Sequence, residues 1–192
     1  TTLEAMIDAA IGGKTAVNIP GGKNLVGAFH HPAMVLIDSD CLTTLPDRDY
    51  RAGLAESVKH AAVFSASFLE WHEQNAEAVL AREASAVADL IDRNVSVKVG
   101  VVQEDAAEQT GRRMLLNFGH TIGHAIEECS GFDLRHGECV ALGMVAASRL
   151  SKSLGLLSQA AADRFTALLE KIGLPITLEQ SIAWRQILGV MQ

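Results

Sequence analysis

The sequence predicts a mainly α-helical domain preceded by a loop-rich arm that holds at least one short strand. Three observations lead there. Aromatic residues are scarce, at 5%, while Ala, Leu and Val are plentiful, which favours helices. Gly12, Gly13, Gly21, Gly22, Gly27, Pro20 and Pro32 crowd the first 45 residues. After Pro46, apolar residues recur at helical spacing between short breaks.

The elements follow in order. Within the arm, the apolar run Ala33 to Ile37, ended by Asp38-Ser39-Asp40, reads as one buried strand among loops. Asp47 can cap a helix running to about Phe64. Ser65 or Ser67 can start the next, with Phe68, Leu69, Val79 and Leu80 near helical spacing. A third helix covers about Ala84 to Gln103, and a polar loop, Glu104 to Thr110, ends at Gly111. Helical patterns then cover about 114–129, 137–154 and 159–172. Gly155 and Gly173 stand where C-terminal caps belong, with Pro175 after the second. A last apolar-periodic helix is expected over about 177–190. With no internal repeat and no linker, residues 1–45 read as an arm and residues 46–192 as one helical domain.

Bulk properties narrow the function. A net charge of −7 argues against nucleic acid as the main partner, since phosphate-backbone binding needs a basic surface. A small anion needs only a local cluster of cations and stays open. Cys41, Cys129 and Cys139 are unevenly spaced and form no CxxC pair, which favours reduced thiols and a cytoplasmic setting. No run of roughly 18 apolar residues predicts a membrane span, and no basic-then-apolar signal peptide is seen. Thr1 is not an initiator Met and opens in patterned sequence, so the chain reads as a piece or a processed form.

Gly13-Lys14-Thr15 resembles the end of a phosphate-binding loop, but the position five residues before Gly13 is Asp8, where that loop needs glycine. What remains is two flexible turns, Gly12-Gly13-Lys14 and Gly21-Gly22-Lys23-Asn24, each delivering a lysine. Exposed turns with solvated lysines are the plainer reading. His120, His124 and His136 fall within 17 residues of one another, flanked by Glu127, Glu128 and Glu138. His120 and His124 are i, i+4 and share a helix face, so the pair with a third His and a carboxylate suits a catalytic zinc. Core or capping histidines are the alternative. Glu56 and Lys59 are i, i+3, a spacing typical of exposed ion pairs. Leu54, Ala55 and Val58 make their helix too apolar for a solvated face, which favours a lined pocket. Arg112 and Arg113, just before Met114-Leu115-Leu116-Asn117, add guanidinium groups suited to carboxylate or phosphate.

Several blocks together carry a resemblance. Thr1-Thr2-Leu3 through Asp8, then IGGKTAVN, GGKNLVGAF, AGLAESVK, GRRMLLNFGHTIGHAIE and HGECVALGM resemble successive blocks of the 3-dehydroquinate synthases, in the same order and at nearly the same spacings, from Thr1 to about Gly155. These belong to the sugar-phosphate cyclase superfamily. The resemblance implies the multi-helical C-terminal domain of the dehydroquinate synthase-like fold. Residues 1–45 would belong to the end of the nucleotide-binding region, with the α/β NAD-binding domain absent from this chain. It implies conversion of 3-deoxy-D-arabino-heptulosonate 7-phosphate to 3-dehydroquinate and phosphate, using NAD and one divalent metal, Zn2+ or Co2+.

The resemblance also implies roles. Glu56, His120 and His136 would hold the metal, which takes His124 out of the ligand set that spacing alone suggests. Asp8, Lys14, Asn24, Lys59, Lys98, Arg113, Asn117 and His124 would surround substrate, with His124, Lys59, Lys98 and Asp8 in the catalytic group. Thr1, Thr2, Lys23, Thr43 and Thr44 would touch NAD. A cytoplasmic homodimer is implied, with no membrane or nucleic-acid partner. The family's acidic residue ahead of its Gly-x-Arg falls on Glu108 or Gln109, because the loop here is one residue longer. Glycine-rich dinucleotide loops would precede Thr1, and a late lysine would follow Gln192. Competing readings are an inosose, valiolone or aminodehydroquinate synthase, an iron-activated-type alcohol dehydrogenase, or a helical interaction module without catalysis.

Overall fold

The computed structural model describes residues 1–19, 22–105, 109–178 and 182–191 and, within these, leaves out the side chains of Asn18, Gly22, Lys23 and Asn24. Among the described residues the fold is a helical bundle with one hairpin. The hairpin is β1 (Lys14–Ile19) and β2 (Gly22–Phe29), and the helices are α1 (Asp47–Phe64), α2 (Ala66–Leu80), α3 (Ala84–Glu104), α4 (His120–Cys129), α5 (His136–Ser153), α6 (Gln159–Ile172) and α7 (Trp184–Val190). A π-helical turn spans Ala5–Ala9, and 3-10 turns span Ser39–Thr44 and Arg113–Asn117. No helix is long and apolar enough to cross a membrane. No disulfide joins Cys41, Cys129 and Cys139 to one another.

α1 is the central element. Asp47 and Asp49 lie in its first turn, where acidic groups suit the positive helix end. Every residue from Ala52 to Ala61 is buried, and a helix buried all round lies in the middle of its domain. Leu54 and Val58 join Phe68 of α2, Leu90 of α3, Val140 and Met144 of α5, and Leu169 of α6 in one core. A smaller core joins Ala125 and Ile126 of α4, Cys139 and Leu142 of α5, and Ile187 of α7. Ser65 and Ser158 cap α2 and α6 by accepting from Phe68 N and Ala161 N, both at 3.2 Å.

Four local expectations change. The run Ala33 to Ile37 forms no strand, with Met34 73% and Leu36 86% exposed. It pairs with no strand among the described residues, and an apolar run without a partner does not make a ladder. The strands instead occupy the glycine-rich stretch expected to be two loose turns. Thr15 pairs with Ala28 and Val17 with Val26 in antiparallel register, so cross-strand pairing outweighs the local glycine signal. The helix expected over 114–129 is broken: Gly119 takes φ +82° between the 3-10 turn and α4. A side chain there would also meet Val140 O at 2.8 Å. Finally, 176–178 are not helical and α7 starts only at Trp184.

Candidate metal and anion site

α1, α4 and α5 converge where α1 presents Glu56, α4 opens with His120 and α5 opens with His136. Glu56 Oε1 lies 3.7 Å from His120 Nε2 and 3.7 Å from His136 Nε2. His120 Nδ1 is 3.3 Å from Phe118 O, a carbonyl that can only accept. The proton therefore sits on Nδ1, and Nε2 offers a lone pair. His136 Nδ1 likewise faces Glu127 Oε2 at 3.1 Å. Burial, followed by the charge of Lys59, pulls His120 down to about 3, so its ring stays neutral.

Glu56 is 1% exposed; its Oε2 accepts from Lys59 Nζ, while Oε1 has no hydrogen-bond partner among the described residues. With the two ring protons on Nδ1, three acceptor atoms face one another here, an arrangement that a cation between them relieves. Ligands about 2.1 Å from a tetrahedral zinc stand roughly 3.4 Å apart, so small side-chain movements bring these atoms to a divalent ion. His124 is exposed, and its ring lies 5.1 Å from that of His120 and 5.6 Å from that of His136. One ligand atom from each of the three histidines falls within 4.8 Å of the others, so geometry also keeps the His120–His124 pair within reach of one ion.

Beyond Glu56 runs a row of alternating charge. Lys98 Nζ donates to Asp8 Oδ1, Lys59 Nζ lies 3.6 Å from Asp8 Oδ2, and the same ammonium donates to Glu56. Lys59 is 1% and Lys98 8% exposed. Burial first, then the positive charge of Arg113, pulls Lys98 down to about 8, against the attraction of the Asp8 carboxylate at its side. Arg113 is itself 2% exposed; its Nη2 donates to Gly12 O at 2.6 Å, and Cζ stands 5.9 Å from the Phe29 ring centre. It fastens the arm to the helices while its charge stays close to Lys98.

Lys14 and Asn117 are exposed, at the start of β1 and the end of the 3-10 turn. The side chains of Lys23 and Asn24, and all of Glu108, lie outside the described residues. Gln109 gives its backbone N–H to Asp105 Oδ1 at 2.6 Å. Thr1, Thr2, Thr43 and Thr44 are exposed, with Thr2 Oγ1 accepting from Ala5 N at 3.1 Å and Thr43 Oγ1 donating to Asp40 O at 2.7 Å.

Four residues to which sequence reasoning assigned no particular role shape the site. Glu127 orients His136; it follows His120 and His124 at i+7 and i+3, so the same helical periodicity carried the signal. Asp105 accepts backbone N–H groups from Gln109, Thr110 and Arg113, and these, Arg113 foremost, hold its carboxyl at about 2. Arg82 donates to Leu42 O, Leu45 O and Asp47 Oδ1, tying the approach to α1 onto the end of α2. Asn94 bridges His60 and Ser57 inside the bundle. Long-range partners such as these leave no local pattern.

A helical bundle that aims imidazole nitrogens and a carboxylate at one point, with buried ammonium groups alongside, has the donor set of a metal site next to the cations of an anion site. The chain belongs to the 3-dehydroquinate synthase family. Its residues 53–192 match the family model "3-dehydroquinate synthase C-terminal" and residues 1–52 match "3-dehydroquinate synthase N-terminal". It is 46% identical over 198 residues to a 3-dehydroquinate synthase of Xylella fastidiosa (strain M23), covering 100% of this chain and 53% of the relative. Against one from Geobacter sp. (strain M21) it is 48% identical over 179 residues, covering 93% and 49%. The chain therefore spans about half the length of the curated relatives it matches. Among solved structures it is similar to 2-epi-5-epi-valiolone synthase from Streptomyces hygroscopicus subsp. jinggangensis 5008 with NAD+ and Zn2+ bound, at TM-score 0.90 and 31% identity, over 99% of this chain and 52% of that one. It is equally similar to 2-deoxy-scyllo-inosose synthase complexed with carbaglucose-6-phosphate, NAD+ and Co2+, at TM-score 0.90 and 30% identity, over 100% and 52%.

Proposed function

We propose that this chain is the metal- and substrate-handling part of a 3-dehydroquinate synthase, which converts 3-deoxy-D-arabino-heptulosonate 7-phosphate to 3-dehydroquinate and phosphate. The observation that carries this is the convergence of Glu56 Oε1, His120 Nε2 and His136 Nε2 beside Lys59 and Lys98. Identity favours this substrate: relatives of that name reach 46–48%, whereas the solved cyclases that act on other sugars stand at 30–31%. Those cyclases keep a second reading open, an inosose or valiolone synthase with the same metal set.

In this reading Glu56, His120 and His136 hold a zinc or cobalt ion. When bound, the ion polarises a substrate hydroxyl while NAD takes up and later returns a hydride. Lys14, Lys98 and Arg113 neutralise the carboxylate and phosphate of the substrate. Lys59 pairs with Glu56 and Asp8 and holds both carboxylates in place, and Asp8 accepts a hydrogen bond from a substrate hydroxyl. His124, exposed beside the two histidine ligands, moves the proton that accompanies phosphate departure. Asn24 and Asn117 orient the sugar. On this chain NAD meets Thr1, Thr2, Lys23, Thr43 and Thr44, as residues 1–45 form the end of the nucleotide-binding region and residues 46–192 the helical domain. A cytoplasmic homodimer completes the proposal.

The test is phosphate release from the heptulosonate phosphate by the full-length protein, with NAD and zinc. Release with that substrate and not with glucose 6-phosphate or sedoheptulose 7-phosphate supports the assignment; the reverse preference moves it to the second reading.

A further inference from the structure

Next to the charge row lies a buried polar chain that the proposed chemistry does not use. His60 of α1 is 0% exposed, and its Nδ1 lies 2.9 Å from Asn94 Oδ1 on α3. Asn94 Nδ2 donates to Leu90 O at 2.7 Å and to Ser57 Oγ at 2.7 Å. A carbonyl accepts only, so the amide's NH2 is fixed on that side and its oxygen faces His60. His60 must then carry its proton on Nδ1. Ser57 Oγ is hydrogen-bonded in turn to His72 Nε2 at 2.9 Å, which anchors the chain in α2.

The tautomer leaves Nε2 of His60 as a lone pair. That atom is buried and has no hydrogen-bond partner among the described residues; Asp8 Oδ1 lies 4.0 Å from it. Asp8, paired with Lys59 and Lys98, presents carboxylate oxygens that are themselves acceptors. A second cation is one way to join the two, since Asp8, Glu56 and His60 each offer an atom within 4.8 Å of the others. The ammonium groups already on both carboxylates repel that cation. A single hydroxyl of a sugar carries one hydrogen and satisfies one acceptor. Water carries two, and hydrogen bonds of about 2.8 Å bridge acceptors at this separation.

We propose that His60 is a positioning residue for Asp8: Asn94 fixes its ring so that Nε2 and Asp8 Oδ1 share one water, which donates a hydrogen to each. The water gives a second donor to the Asp8 oxygen that Lys98 already holds, and so restrains the carboxylate from the α1 side. Asp8's part in the reaction rests on the function proposed above; the tautomer and the water do not.

Two measurements on the full-length protein with zinc and NAD test this. Nitrogen-15 NMR of the imidazoles is expected to show His60 protonated at Nδ1 and bare at Nε2; a proton on Nε2 overturns the proposal without any assay of activity. A double-mutant cycle then reads positioning. His60→Asn keeps the Nδ1-side donor and loses Nε2; it is expected to lower kcat/KM about tenfold in the presence of Asp8 and less than about twofold in Asp8→Asn. His60→Gln, whose amide oxygen reaches the Nε2 position, is expected to restore most of the loss. Equal losses in both backgrounds, or no rescue, sink the positioning role. Should His60→Asn fail to fold, His60→Gln against Asp8→Asn and the NMR result still decide. A wild-type protein that releases no phosphate rejects the proposed function instead, and leaves the tautomer result standing.

Discussion

Glu56 Oε1 and His136 Nε2 face each other at 3.7 Å as two acceptors, each turned there by a partner on its far side. Lys59 holds the other oxygen of Glu56, and Glu127 holds Nδ1 of His136. A carboxylate behind a metal-binding imidazole fixes the tautomer and makes the ring a better ligand. Glu127→Gln keeps the shape and removes the charge. Zinc affinity, read by competition with a chromophoric chelator, is expected to fall about ten- to a hundredfold; unchanged affinity shows that His136 needs no such support.

The ligand set separates from its neighbour by metal content. His136→Ala and Glu56→Gln are expected to lower bound zinc sharply after dialysis, whereas His124→Ala keeps the metal and loses phosphate release. Equal zinc loss in His124→Ala and His136→Ala restores the helical pair His120–His124 as the ligand core. The prediction turns on exposure: Glu56 is 1% exposed and cannot be left unpaired cheaply, while His124 stands in solvent.

Sequence alone placed α1 between Asp47 and about Phe64, although Pro46 and not Asp47 is its N-cap, and it set the start of α2 and both ends of α3, α5 and α6 within about two residues, because proline, serine and glycine punctuate those boundaries. It misplaced the strands. Ala33 to Ile37 looks like a strand by composition, but a strand exists only with a partner, whereas Val17 and Val26 have one. Glu56, His120, His124 and His136 were legible as a cluster of metal-binding types. The choice among them was not, since spacing along α4 cannot show that Glu56, 80 residues before His136, meets it. Glu127 was legible as a carboxylate flanking the histidines but not as the partner of His136; the His60–Asn94 contact had no local sign.

Close packing beside the site gives a third prediction. Gly137 follows His136, and a Cβ there would sit well inside van der Waals contact of Ala52 O on α1. Backbone cannot rotate out of the way as a side chain does, so Gly137→Ala must push α5 off α1 and carry His136 with it. A loss of about 1–3 kcal/mol is expected in urea unfolding, together with weaker zinc binding. Gly100→Ala on α3 is the control. Nothing lies within 4 Å of its Cβ, and helix propensity there predicts a gain of about 0.5–1 kcal/mol.

Acid sensitivity is the last expectation, and its sign follows from burial. His60 and His72 are both buried, and desolvation, the largest cause for each, pulls them to about 3 from an ordinary value of 6.5. The folded protein therefore holds these rings neutral where the unfolded chain has protonated them. Stability from this source is complete above pH 6.5 and drains away as pH falls toward 3, because the unfolded state binds the extra protons. Each such ring steepens the loss by about 1.4 kcal/mol per pH unit within that window. His120, also pulled to about 3, adds to the slope when the metal is removed. Urea unfolding of the chelated protein at pH 7, 6 and 5 measures it. His72→Gln, which keeps a polar partner for Ser57 and cannot titrate, should flatten the slope by about one ring's worth. An unchanged slope in that variant would mean that His72 gains its proton without unfolding the bundle, against the burial that surrounds it.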